Sequence, residues 1–159
     1  MVFITVNVAA QTLSLMDDDT LLGEYPVSTS AYGIGNRDGS FKTPLGHHRI
    51  CEKIGDAMPA DEVFIARRPQ GQLAELKQSD EPLPEDIITA RILRLQGQEP
   101  GINQGEGIDS YQRYIYIHGT ADEQRISQPV SHGCVRMLNK DIIELFDKVD
   151  VNTDVWIEA

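Results

Sequence analysis

From Ile4 to Val8 apolar and polar side chains alternate, and with Val2 and Phe3 they predict a half-buried strand opening the fold at residue 2. Two further apolar runs, residues 13–16 and 21–25, flank Asp17-Asp18-Asp19-Thr20 and predict a hairpin closed by a short polar loop. Residues 27–30 then enter a turn-rich stretch at 33–40. Thr43-Pro44-Leu45-Gly46 interrupts the chain before a short extended piece at 47–50. Strand patterns return at 63–66 and 87–95, separated by an acidic, proline-broken loop at 79–86. Residues 97–109 are glycine-rich and polar, which predicts a long surface loop, and such loops in compact domains tend to carry function.

The last third has the sharpest pattern. Tyr114-Ile115-Tyr116-Ile117 is aromatic and β-branched, predicting a buried strand that ends at His118-Gly119-Thr120. Asn139 is placed as a helix cap with Asp141 in the first turn. Ile142, Leu145, Phe146 and Val149 recur at helical spacing and form one apolar stripe. Residues 154–157 predict a closing strand. No repeat or linker divides the chain. The pattern predicts one domain over 1–159, a mostly-β sandwich with one principal helix near the C-terminus.

Composition narrows the partners. The chain has 159 residues, 40% apolar and 25% charged, enough to bury a core. Fourteen Lys plus Arg against 25 Asp plus Glu give a formal charge of -11. That balance argues against nucleic acid, whose phosphates need a basic face, and against an anionic membrane surface. No apolar run approaches the roughly 20 residues of a membrane span. The chain opens without a basic start and apolar core of a secretory signal, and its two cysteines make no disulfide framework. These features predict a cytoplasmic protein, the alternative being an exported one whose signal has been removed. They leave a small molecule or peptide as substrate and set no oligomeric state.

Reactive side chains concentrate in Ser131-His132-Gly133-Cys134-Val135-Arg136, between a strand and the predicted helix. A thiol just before a helix lies where the dipole and free N–H groups favour thiolate. The glycine before it allows close approach of the backbone, with N–H groups for an oxyanion. A cysteine nucleophile needs a base, and His118 and His132 are the candidates. His118 ranks first, because a ring two residues before Cys134 is poorly placed to share its proton in extended backbone. Cys51 lacks such neighbours and reads as a small buried hydrophobe. His47 and His48 read as structural. His118, His132 and Cys134 offer zinc ligands, but no CxxC or HExxH spacing supports a site. The glycine-rich stretches at 33–39 and 97–109 lack phosphate-cradle spacing.

Ile117-His118-Gly119-Thr120 followed by Ser131-His132-Gly133-Cys134-Val135-Arg136-Met137 resembles the signature of the YkuD, or L,D-transpeptidase catalytic, family. Lys42-Thr43-Pro44-Leu45-Gly46 is similar to its TPxG segment, and the likeness extends through Arg91-Ile92-Leu93, Gly107-Ile108-Asp109 and residues 113–117. The resemblance implies a YkuD-like β-sandwich with its cysteine in a groove beneath a lid or loop. It implies acyl transfer on peptidoglycan stem tetrapeptides or muropeptides, at the bond between the L-centre of a diamino acid and the terminal D-alanine. Cys134 matches the nucleophile, His118 the base, and Gly119 the residue whose carbonyl orients that base. His132, Gly133 and Cys134 match the oxyanion turn. Arg136, where many members carry asparagine, is taken with Ser131 as substrate-binding. No metal or organic cofactor is implied.

Water accepting the acyl group gives a carboxypeptidase, and the amine of a second stem gives a transpeptidase. A cytoplasmic enzyme would meet only soluble stems, so the location predicted above favours L,D-carboxypeptidase action in recycling. The alternatives are an exported transpeptidase and a stem-peptide-binding domain without turnover. Because the substrate is acidic, a local cation is expected, Arg136 first, with Arg67, Arg68 and Arg113 behind it.

Overall fold

A computed structural model describes residues 1–80, 82–84 and 86–159. The acidic loop expected at 79–86 therefore falls outside the described residues at positions 81 and 85. The alternating start forms β1 (Val2–Asn7), and the predicted hairpin forms β2 (Thr12–Asp17) and β3 (Thr20–Ser28). Then come β4 (Gly46–Ile54), β5 (Glu62–Ile65), β6 (Arg68–Gln72) and a single-turn helix α1 (Leu73–Leu76). The remainder comprises β7 (Ile88–Gly97), β8 (Tyr116–Thr120), β9 (Val135–Met137), α2 (Asn139–Lys148) and β10 (Asp154–Glu158).

Strands pair in the order β4-β10-β1-β2-β3-β9-β8-β7, and β7 pairs back onto β4, so the sheet closes on itself. The result is a mostly-β sandwich with one dominant helix. β1–β10 and β8–β9 are parallel; their neighbours are antiparallel. The period-2 pattern turns Ile4, Val6, Leu13, Leu15, Ile117, Val135, Val155 and Ile157 inward, where they meet Ile142, Leu145 and Phe146 of α2. Each such side chain contributes roughly 1.5–3 kcal/mol by leaving water. The opposite face of β7 and β8 carries a smaller apolar cluster, Phe64, Ile92 and Tyr116, with Met58, Ile88 and Cys134 partly buried against it. The β5–β6 hairpin, paired to the start of β7, brings Phe64 to this cluster.

Three local expectations are corrected. The strand expected over 114–117 begins at Tyr116, because Tyr114 adopts a left-handed φ of 56°. Asn139 is not the cap: Leu138 holds that place, and the Asn139 side chain accepts a hydrogen bond from Thr89 Oγ1 at 2.6 Å. The exposed helix start is served instead by Glu123 Oε2, which accepts the Asn139 N–H at 3.0 Å. Finally, the 97–109 segment is anchored rather than lying wholly on the surface. Asn103 is fully buried, donating to the carbonyls of Leu45 and His47 and accepting the Glu99 N–H. Gly97 leaves room for it, since a Cβ there would collide with the Asn103 backbone.

Candidate active site

The parallel pairing of β8 with β9 sets the site. Ile117 lies opposite Val135 and His118 opposite Arg136, so the turn entering β9 arrives beside Tyr116. Gly133 has φ 122°, a conformation that favours glycine, and a Cβ would press on the Lys42 carbonyl at 3.2 Å. The turn is braced from the 42–46 segment: Thr43 Oγ1 donates to the Gly133 carbonyl and accepts the Ser30 N–H, each at 3.0 Å. Ser131 closes it from within, donating to the Cys134 carbonyl at 2.6 Å and accepting the Gly133 N–H at 3.2 Å.

Ser131 is fully buried, and its hydroxyl is engaged within the turn. Of the three expected oxyanion donors, the Gly133 N–H is occupied. The N–H groups of His132 and Cys134 carry no hydrogen bond among the described residues.

Cys134 Sγ receives the Tyr116 N–H at 3.3 Å and donates to the Tyr114 carbonyl at 3.4 Å. The residue is partly accessible, but its thiol is packed among apolar groups, and burial pushes its pKa up to about 12. The Tyr116 N–H opposes this, the Asp86 charge adds to it, and Arg136 and Arg113 pull weakly downward. The expected thiolate is therefore corrected. Cys134 leads into β9, and α2 begins only at Asn139, so no helix N-terminus faces the sulfur.

His118 is fully buried. Its Nδ1 lies 2.5 Å from the Gly119 carbonyl, which can only accept, so Nδ1 carries the proton and Nε2 keeps its lone pair. Nε2 is buried without a hydrogen-bond partner among the described residues. Burial lowers the pKa below 6.5, against opposing pulls from Asp86 and the Gly119 carbonyl. Gly119 permits this packing, since a Cβ would meet the Thr89 carbonyl at 2.5 Å and the Asn139 side chain. Cys134 packs against Ile92 and Tyr116, and Ile92 lies opposite His118 across β7 and β8, so thiol and imidazole share one face of β8.

The other candidates lie elsewhere. The His132 side chain is 47% exposed and faces the rings of Phe41 and Tyr32, with Nδ1 3.8 Å from Asp86. Arg136 is almost wholly buried, its guanidinium 2.7 Å from Asp86 and 3.8 Å from Asp122. Its charge therefore faces carboxylates of the protein itself. Arg67 donates to the Tyr116 hydroxyl at 3.0 Å, and Arg68 lies exposed in β6. Arg113 donates to the carbonyls of Lys42 and Gly35. Cys51 Sγ donates to the Arg94 carbonyl at 3.4 Å. His47 pairs with Asp154, and His48 is buried between the Gly46 carbonyl and Ser110. Among the described residues no group of three ligating side chains gathers as a metal site. Sequence reasoning missed Asp86, whose loop carries no chemical signature. It missed Thr43 as a brace although the TPLG segment contained it.

A thiol, a neutral imidazole oriented by a carbonyl, and open backbone N–H groups at a glycine turn define a cysteine-dependent acyl-transfer enzyme. The chain belongs to the YkuD family, the L,D-transpeptidase catalytic domain, whose model matches residues 1–157. It is 25% identical over 143 residues to the putative L,D-transpeptidase YqjB of Bacillus subtilis, covering 86% of this chain and 76% of that protein. A 43-residue stretch is 54% identical to the probable L,D-transpeptidase YbiS of Escherichia coli, covering 27% of this chain and 14% of that protein. The fold matches an L,D-transpeptidase from Mycobacterium smegmatis with TM-score 0.59 at 17% identity, covering 99% of this chain and 58% of that one. It matches L,D-transpeptidase 3 from Mycobacterium tuberculosis, solved with a faropenem-derived adduct, with TM-score 0.61 at 14% identity and coverages of 99% and 60%. The chain thus spans about three fifths of these solved chains.

These relatives are named L,D-transpeptidases, and cross-linking of polymeric peptidoglycan takes place outside the cytoplasmic membrane. The cytoplasmic expectation is overturned on that ground. It rested on how the chain begins, which carries no information on export, and on the lack of a disulfide framework between two cysteines. No helix among the described residues is long and apolar enough to cross a membrane.

Proposed function

We propose that this chain catalyses L,D-transpeptidation of peptidoglycan stem peptides, with Cys134 as nucleophile and His118 as general base. The observation that carries the reading is the thiol held at Tyr116, on the same strand face as the unpartnered Nε2 of His118. As Sγ attacks the carbonyl carbon at the L-centre of the diamino acid, Nε2 takes the thiol proton. The N–H groups of His132 and Cys134 receive the developing oxyanion. Collapse breaks the L,D bond, and the imidazolium returns the proton to the departing D-alanine amine. The amine of a second stem then attacks the thioester, forming a new amide while its proton passes through His118 back to sulfur. Gly119 orients His118 through its carbonyl. Ser131 braces the turn from within, and Arg136 is paired with Asp86 and Asp122.

The preference for hydrolysis depended on a cytoplasmic location and falls with it. A wall-modifying acyl enzyme meets abundant acceptor amines, which favours transfer. The test is a time course with a stem tetrapeptide and an isotope-labelled acceptor stem, followed by chromatography and mass spectrometry. Labelled dimer and D-alanine are expected as the main products, with a thioester on Cys134 that is absent in Cys134→Ala. Predominant tripeptide would assign hydrolysis instead, and a wild-type protein that never forms the thioester would remove the covalent mechanism.

A further inference from the structure

One carboxylate reaches both sides of Cys134. Asp86 stands two residues before β7, and the neighbouring Ile87 carbonyl accepts the Ala121 N–H at 3.4 Å, which fixes this segment beside the end of β8. Asp86 Oδ1 lies 2.7 Å from the Arg136 guanidinium, and Oδ2 lies 3.8 Å from His132 Nδ1. His132 and Arg136 flank Cys134, the one two positions before it and the other two positions after. Arg136 is almost wholly buried, so its pairing with Asp86 is poorly screened by water. The parallel register also sets Arg136 opposite His118. The charge on Asp86 acts on the imidazole and on the thiol alike.

We infer that Asp86 is a positioning residue for acyl transfer: it holds the nucleophile's turn through Arg136 and His132, and it offsets the positive charge that buried His118 gains on taking the thiol proton. The inference rests on the reading of Cys134 as nucleophile and His118 as base. As Sγ bonds to the carbonyl carbon its proton passes to Nε2, so an imidazolium and an oxyanion replace a neutral pair. Burial resists that imidazolium; Asp86 is the largest pull in its favour, the Gly119 carbonyl adds to it, and Arg136 opposes it. No other neighbour supplies this charge. β7 brings apolar Ile92, and α2 brings uncharged Asn139 behind Gly119. The Tyr116 hydroxyl accepts from Arg67, and Asp122 lies 3.8 Å from the other terminal nitrogen of Arg136. At Cys134 the sign reverses: burial raises the thiol, the Tyr116 N–H lowers it, and Asp86 raises it further. Asp86 therefore favours transfer through the base and disfavours a free thiolate.

Three measurements test this: the pH profile of thioester formation on Cys134, the ring titration of His118 by NMR, and the rate of Cys134 alkylation by iodoacetamide at mildly alkaline pH. Asp86→Asn is expected to lower the His118 midpoint by about half a pH unit or more and the acylation plateau about tenfold, while alkylation speeds up about threefold. Asp86→Glu keeps the charge and should restore the midpoint. Asp86→Asn/Arg136→Gln leaves no buried guanidinium unpaired, and should recover the midpoint but not the plateau, since the turn stays unclamped. A purely structural Asp86 would slow acylation at every pH and leave the His118 midpoint in place, which overturns the inference. A midpoint raised in Asp86→Asn, or slower alkylation, does the same. If Asp86→Asn does not fold, the double variant is compared with Arg136→Gln alone: its midpoint should lie about half a pH unit lower, and equal midpoints overturn the inference. The NMR and alkylation measurements need no substrate. Failure of the acyl-transfer reading therefore shows as a missing thioester with both shifts intact, and failure of the inference as a thioester with neither.

Discussion

Titration of the acylation step discriminates between two ways of activating Cys134. With its thiol at about 12, about one molecule in 10⁵ is thiolate at pH 7, against about one in 10² for an ordinary thiol near 9. Attack through a preformed thiolate would therefore start from a deficit of about a thousandfold and gain tenfold in rate for each pH unit. Base-assisted attack behaves differently. His118 must be neutral to accept the proton, and burial holds its pKa below 6.5. The rate should rise with pH only up to that lowered value and then stay level. The assay is single-turnover formation of the Cys134 thioester from about pH 5 to about pH 10, followed by mass spectrometry. A plateau established by about pH 6.5 is expected, with His118→Gln roughly 10²–10⁴-fold slower and rising tenfold per unit through the same range. A wild-type slope of one between pH 7 and pH 10 would refute base assistance and leave His118 a structural residue.

Cys134→Ala should abolish the thioester and D-alanine release while keeping the wild-type circular dichroism spectrum, whereas Cys51→Ala should retain turnover. His48, buried against Ser110 and lowered to about 4, should make stability pH-dependent. The unfolded chain binds a proton near 6.5 that the folded chain refuses, so about 3 kcal/mol is lost as pH falls from 6.5 to about 4. Urea denaturation at each pH should show that loss in the wild type and not in His48→Gln. Gly119→Ala, forced against the Thr89 carbonyl, should cost about 1–3 kcal/mol and slow acylation by displacing the carbonyl that orients His118, checked by thermal melting and the thioester assay. Asn103→Ala removes three hydrogen bonds at a fully buried side chain and should cost about 3 kcal/mol at roughly 1 kcal/mol each, with faster amide exchange across residues 97–109.

The strands were legible where one face meets the core. Alternation at residues 2–8, in the hairpin of 13–25 and at 87–95 reports burial on one side, and β1, β2, β3 and β7 follow it closely. The stripe of α2 was equally clear, because helical spacing survives any tertiary arrangement. Errors arose where a polar side chain chooses a distant partner. Asn139 has the chemistry of a cap, but its oxygen goes to Thr89, fifty residues away in the chain. The state of Cys134 was hidden for the same reason. Its pKa depends on the apolar cluster beside it and on Asp86, and neither neighbour is near it in sequence. Ser131 and Arg136 were visible as motif residues, yet their inward orientation depends on bonds the motif does not display.

The strand between β4 and β1 comes from residues 154–158, while β1 comes from residues 2–7. Until that distant segment docks, β4 and β1 each present a row of unpaired N–H and carbonyl groups, and the apolar faces of Ile4 and Val6 stay wet. Local hairpins such as β2–β3 can form early, but ring closure waits for contacts of the longest sequence separation, which fold slowly. A nascent chain therefore remains an open, pairing-prone sheet until residues 154–158 are available. Removing residues 154–158 should yield aggregates seeded at those two edges rather than a merely weakened enzyme.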